Sequence, residues 1–336
     1  MTGMKRVAAA TTVLGLAAAC SSFDGDGSPP GVGPAPNDGG TTPEAAVGTD
    51  GGSSGSTTPR ILATGLDHVS GLAIDDEAIY AGSDVKDGRV YRIEKSTGAV
   101  TPLFQGTNVR QPIVAGDSVY VGGDEGVFEI DKRKGAGEKL SDSPQTALAF
   151  DGKDLFGCHY AGPFTDQDLD RITGKTTSVV AKNIQGCESL AVIGGVVFFG
   201  ASLSVSRVPA TGGTTSIVGR YAARRVIVDG ELVYTQAFFD GDIRRARVDA
   251  DGGASDKVST TPEGAANGLG DLTLDATHVY WTAGSDKGGV FRAPKALGAI
   301  PEVLASGVAY ASAIVVDDHA IYWTEAGRGL LWTRAK

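Results

Sequence analysis

The sequence predicts an all-β fold, a seven-bladed β-propeller with four-stranded blades spanning residues 59–336. Three observations lead there. One apolar phrase recurs at intervals of about forty residues. Glycine is abundant, 49 of 336 residues, and no segment carries a long 3.6-residue apolar stripe. Finally, the last unit lacks a strand that an orphan segment at the front of the domain supplies.

The recurring phrase is an apolar run, a polar turn of Asp-Gly or Asp-Asp type, then an apolar pair ending in an aromatic. Leu72-Ala73-Ile74-Asp75-Asp76-Glu77-Ala78-Ile79-Tyr80 and Val226-Ile227-Val228-Asp229-Gly230-Glu231-Leu232-Val233-Tyr234 are two instances. The aromatic anchors are Tyr80, Tyr120, Phe156, Phe198, Tyr234, Tyr280 and Tyr322, spaced 36 to 46 residues apart. A second apolar run follows each anchor, as in Gly88-Arg89-Val90-Tyr91-Arg92, and a third ends the unit, as in Thr101-Pro102-Leu103-Phe104. Four short strands per unit, repeated, mark a propeller. A sheet apolar on both faces, as Leu190-Ala191-Val192-Ile193 and Val196-Val197-Phe198-Phe199 suggest, needs a neighbour on each side, and a closed ring supplies one for every sheet.

The seventh unit has only three strands before Lys336. At the other end, Pro59-Arg60-Ile61-Leu62-Ala63-Thr64-Gly65 reads like Pro301-Glu302-Val303-Leu304-Ala305-Ser306-Gly307. The first segment is therefore expected to be the fourth strand of the last blade, latching the ring.

Residues 1–20 read as an export leader. Lys5 and Arg6 precede the apolar stretch Val7 to Ala19, which is too short to span a bilayer and has the length of a secretory core. Residues 21–58 read as a disordered tether: 26 of its 38 residues are Gly, Pro, Ser or Thr, and it has no Lys or Arg.

The net charge is −10. Setting aside Lys5, Arg6 and the five carboxylates before residue 59 leaves −7 on the propeller. That balance argues against nucleic acid, which needs clustered Lys and Arg. Four His and three Cys leave little room for a multi-ligand zinc site, and no cofactor is expected. Arg224-Arg225 with Arg244-Arg245-Ala246-Arg247 makes the fifth unit locally basic, either an acidic-ligand patch or Arg stems covering a blade edge.

Two resemblances add to this reading. Leu16-Ala17-Ala18-Ala19-Cys20 resembles the lipobox of bacterial lipoproteins, which implies lipidation of Cys20 and a place in the outer membrane or at the cell surface. The alternative is an ordinary cleaved leader with a periplasmic or secreted product. Val279-Tyr280-Trp281-Thr282-Ala283, Ile321-Tyr322-Trp323-Thr324-Glu325 and Gly289-Val290-Phe291-Arg292-Ala293-Pro294-Lys295 resemble the YWTD-like repeats of bacterial secreted β-propeller lipoproteins, and more loosely the YWTD and NHL-type propellers. YWTD propellers have six blades, so the resemblance implies the fold type, and the count of seven comes from the repeats of this chain.

In such a ring the loops entering each blade and those joining its second and third strands share one face. His68, Arg110, Gln145, Glu188, Arg224, Asp271 and Tyr310 fall on the entering loops, and His159 on a second-to-third loop. These are the candidate ligand face. His278 and His319 fall in turns on the opposite face. With Cys20 lipidated, Cys158 and Cys187 remain as an even pair at the same face of adjacent blades, and a disulfide is expected. The expected function is a monomeric, lipid-anchored binding module for a protein, peptide or glycan, touching the membrane only through its anchor. The alternatives are an envelope lyase or hydrolase at the channel mouth, with His68 or His159 beside Glu188, and a structural surface protein.

Overall fold

The structure, a computed structural model, describes residues 57–160, 166–201, 203–237, 240–263, 265, 270–285 and 288–336. Cys20, the leader and nearly all of the tether lie outside the described residues. Residues 60–336 form seven antiparallel four-stranded sheets, each a meander in chain order except the last. Among the described residues the helical content is one 3-10 turn, Ala326–Arg328, closed by Gly329 at φ 62°.

The first strands of blades 1 to 7 are Val69–Ile74, Ile113–Ala115, Ala147–Phe150, Ser189–Ile193, Ala223–Asp229, Leu272–Leu274 and Ala311–Val316. Those of blades 2 to 5 line a central cavity of about 320 Å³, walled by Ile113, Leu148, Phe150, Leu190, Val192 and Ile227. The ring closes as the sequence predicts. Strand Arg60–Ala63 is the outermost strand of blade 7, antiparallel to Leu330–Ala335, with Ile61 opposite Trp332 and Ala63 opposite Leu331. Leu62 and Leu66 then pack with Leu331, Tyr322, Leu72 and Ala313, so the latch fills the seam between blades 7 and 1.

The anchors sit between blades. Tyr80, Phe156, Phe198, Tyr234, Tyr280 and Tyr322 are all buried. The Asp that opens the turn before an anchor serves twice. Asp317 Oδ1 accepts the N–H groups of His319 and Ala320, a side-chain turn that starts the next strand. Its Oδ2 accepts the Tyr322 hydroxyl at 3.4 Å and lies 2.7 Å from Lys95 Nζ of blade 1. Asp75 with Tyr80 and Lys132, and Asp275 with Tyr280 and Lys336, repeat the arrangement. Lys295 reaches Asp229 at 2.6 Å and lies over the Tyr234 ring. These clamps join blades 7 to 1, 1 to 2, 5 to 6 and 6 to 7. His278 and His319 are ordinary turn residues of this device, each giving its backbone N–H to the turn Asp.

Blades 3 and 4 are joined instead by the expected disulfide. Cys158 and Cys187 are fully buried, with Cα atoms 6.1 Å apart, among Phe156, Leu169, Leu190 and Phe199.

Candidate binding face

Strand pairing fixes a common register for the seven blades. The first-strand residue opposite each anchor is Ala73, Ile113, Ala149, Ala191, Ile227, Thr273 or Val315. Two residues earlier stand Gly71, Gln111, Ala147, Ser189, Arg225, Asp271 and Ala313, a ring just inside the face of the entering loops. In this ring Ser189 Oγ accepts the N–H of Val226 at 3.0 Å, and Asp271 Oδ2 accepts that of Ile314 at 3.1 Å, each tying its blade to the next. Gln111 packs tightly on blade 1, where a Cβ on Gly71 would strike its Cα.

Arg225 crosses the mouth. Its guanidinium donates to Gln111 Oε1 of blade 2, and Nε lies 2.8 Å from Asp271 Oδ1 of blade 6. Gln111, Arg225 and Asp271 thus form a polar floor across the channel, and Gln111 and Arg225 also line the central cavity.

One residue nearer the loops stand Arg110, Glu188 and Arg224. Arg224 occupies a β-bulge: Ala223 pairs with Ala237 and Arg225 with Gln236, leaving Arg224 unpaired. A bulge re-aims its side chain. Arg224 forms no hydrogen bond or ion pair among the described residues. Burial is the largest influence on it and weakens its hold on the proton. Glu188 and Asp271 oppose that, the adjacent Arg225 adds to it, and Asp84 of blade 1 also opposes it. Arg110 has its Nε enclosed and without a partner. Glu188 is exposed.

The rim is held under backbone strain. Five residues before the register residue, His68, Asn108, Gly186 and Tyr310 have φ of 32°, 51°, 72° and 55°. Glycine adopts such angles freely, whereas the three larger residues do so at a cost. Equivalent side-chain pairs follow in blades 1 and 2. His68 Nδ1 lies 2.8 Å from Asp84 Oδ1, and Asn108 Nδ2 donates to Asp124 Oδ2 at 2.7 Å. Tyr310 projects from blade 7 and is 58% exposed. A non-glycine residue kept at positive φ with its side chain in solvent is poor for stability alone, which favours a contact role.

His159 and Gln145 lie elsewhere, between blades 2 and 3. His159 Nδ1 is 2.8 Å from Oδ2 of Asp170, off the line of a good hydrogen bond, and Gln145 Nε2 donates to the same oxygen at 3.2 Å. Asp170 is 1% exposed. Burial raises its carboxyl pKa, against the pull of His159 and Gln145. Asp170 Oδ1 and Gln145 Oε1 have no partner. Sequence reasoning missed Asp170. The signal was the alternation Asp166, Asp168, Asp170 along a central strand, where apolar residues are expected.

His68, Arg110, Glu188, Arg224, Asp271 and Tyr310 therefore share the mouth face, with Asp271 in its floor. Gln145 and His159 belong to the separate inter-blade cluster. The basic run Arg244 to Arg247 is not a free patch: Arg244 pairs with Asp240 and Asp242, Arg245 bonds Lys295 O, and Arg247 pairs with Glu231 and Asp249. Among the described residues no group of three or more His, Cys, Asp or Glu is placed to hold a metal ion.

No family model matches this chain, and no curated protein matches it either. Solved structures do. Virginiamycin B lyase from Staphylococcus aureus has a TM-score of 0.64 at 13% identity, covering 83% of this chain and 98% of its own. A chain of the mitotic checkpoint complex has a TM-score of 0.60 at 14% identity, covering 88% and 96%. BamB from Moraxella catarrhalis has a TM-score of 0.50 at 15% identity, covering 80% and 86%. At these identities the likeness is one of fold, and it places the chain among β-propellers.

Proposed function

We propose that this protein is a lipid-anchored binding module of the cell envelope that engages a protein or peptide through the face bearing Tyr310, His68 and Arg224. The observation that carries this reading is the rim itself. Residues from blades 1, 2, 4, 5, 6 and 7 converge there, three non-glycine residues are held at positive φ, and the channel below is floored by Gln111, Arg225 and Asp271. A polar rim with an exposed aromatic above a channel bridged by Arg225 suits surface recognition. The anchor at Cys20 and the tether of residues 21–58 would keep the module at the membrane surface.

Site-specific photocrosslinking in cells tests this. A benzoylphenylalanine at Tyr310 is expected to cross-link a discrete partner, and one at His319 on the opposite face is not. Equal products from both positions, or none from either, would overturn the reading.

A catalytic reading has one observation in its favour. His159 Nδ1 lies 2.8 Å from the buried carboxylate of Asp170, close enough that a small rotation of the ring would let that carboxylate orient it as a general base. Neither residue lines the central cavity. We therefore place this reading second.

A further inference from the structure

We propose that Arg110 and Arg224 receive a single carboxylate of the peptide ligand at the channel mouth. This rests on the binding reading above and specifies its chemistry.

The two arginines occupy equivalent register positions in blades 2 and 5, three residues before Ile113 and Ile227. The blades face each other across a mouth narrow enough for one side chain to span, since Arg225 reaches Gln111. Arg225 is spent on that span and on Asp271. Asp271 is spent too, accepting from Leu272 N and Ile314 N as well as facing Arg225. Among the described residues, Arg224, carried on a bulge, and Arg110, whose enclosed Nε has no partner, have guanidinium donors without an acceptor. A half-buried guanidinium without an acceptor leaves desolvated donors unsatisfied, and an incoming oxyanion would complete them.

The surroundings choose among anions. Glu188, Asp84 and Asp271 all act on Arg224, and the propeller as a whole carries −7. That field opposes polyanions and dianions and tolerates one negative charge. A planar carboxylate also matches the fork of a guanidinium. Tyr310 on the rim would then pack on the residue bearing the carboxylate.

The test uses the full chain with 15N-labelled arginine and follows the Nε–Hε resonances, assigned by loss in R224Q and R110Q. Acetate is the probe, with inorganic phosphate and chloride at matched ionic strength as the other arms. Acetate is expected to move both resonances saturably in the millimolar range, and chloride is not. R224Q should weaken acetate binding by about tenfold or more, the effect of losing a charge-assisted pair. R224K should recover part of it, and Glu188→Gln should tighten it by removing a competing carboxylate. Unchanged melting temperatures would show that the variants fold. Absence of a saturable shift, or unaltered affinity in R224Q, would overturn the inference. Phosphate binding tighter than acetate would overturn the choice of carboxylate. Cross-linking at Tyr310 without an acetate shift would leave the binding module standing and remove this site. A shift without cross-linking would do the reverse.

Discussion

Lys95 Nζ and Asp317 Oδ2 stand 2.7 Å apart across the seam where the ring closes, 222 residues apart in the chain. Both side chains are largely enclosed, at 15% and 20% exposure, so the pair differs from a surface ion pair. Lys95→Met keeps the stem over Tyr322 and removes the charge that faces Asp317. It is expected to cost about 1–3 kcal/mol, the penalty of leaving one partner of an enclosed pair unmatched. Thermal unfolding should show a midpoint several degrees lower. An equal loss from Lys134→Met, whose partner Asp131 is at an exposed turn, would argue that the seam is not special.

The clamps also set the response to acid and alkali. Burial alone would raise the carboxyls of Asp75, Asp275 and Asp317. The Lys, Tyr and backbone donors overcome it and hold all three below the ordinary 3.8. A depressed folded-state pKa stabilises the fold above the unfolded value and is lost as pH falls through the folded value. Stability should therefore decline below about pH 4, and Asp275→Asn should flatten that decline. Tyr80 and Tyr322 are pushed up to about 12, first by burial and then by their Asp partners. Their contribution is complete below pH 10 and lost as pH rises toward 12. Urea midpoints measured from pH 2.5 to 11.5 would check both limbs.

Cys158 and Cys187 close a loop of sequence separation 29. Replacing both with Ser should lower stability by about 3.5 kcal/mol on the chain-entropy account. Non-reduced peptide mapping should recover the two residues in one linked species, and a free thiol at either would contradict the pairing.

Much of this was legible in sequence and some was not. The echo between Pro59–Gly65 and Pro301–Gly307 revealed the latch because strands in equivalent places meet equivalent neighbours. The cysteine pair followed from counting and from the blade ends on which the residues fall. The floor was hidden. Gln111 and Arg225 are 114 residues apart, and only the diameter of the ring decides that one side chain spans the gap. Asp170 was hidden for another reason. It sits on a third strand, and only the folded structure brings Gln145 from the preceding loop over it.

Tyr310 should trade stability for contact. At φ 55° a glycine is free of strain, so Tyr310→Gly is expected to raise stability by about 1 kcal/mol. The same change should abolish partner capture, scored by competition with the wild-type propeller. Tyr310→Ala should lose capture without the gain. A Gly variant that binds normally would separate the strain from the function.

The proposed lipid anchor predicts that Cys20→Ser moves the protein from the membrane fraction to the soluble fraction without altering its melting curve. Unchanged fractionation would remove the lipid anchor from the reading.

The whole arrangement depends on Arg60–Ala63 zipping onto Leu330–Ala335, because that closure sets the distance across the mouth. Hydrogen–deuterium exchange of the peptide covering residues 59–66 measures it directly. Protection of the order seen for the peptide carrying Leu331 is the expected result. Complete exchange within seconds, while the other blades stay protected, would contradict both the closed ring and the site built upon it.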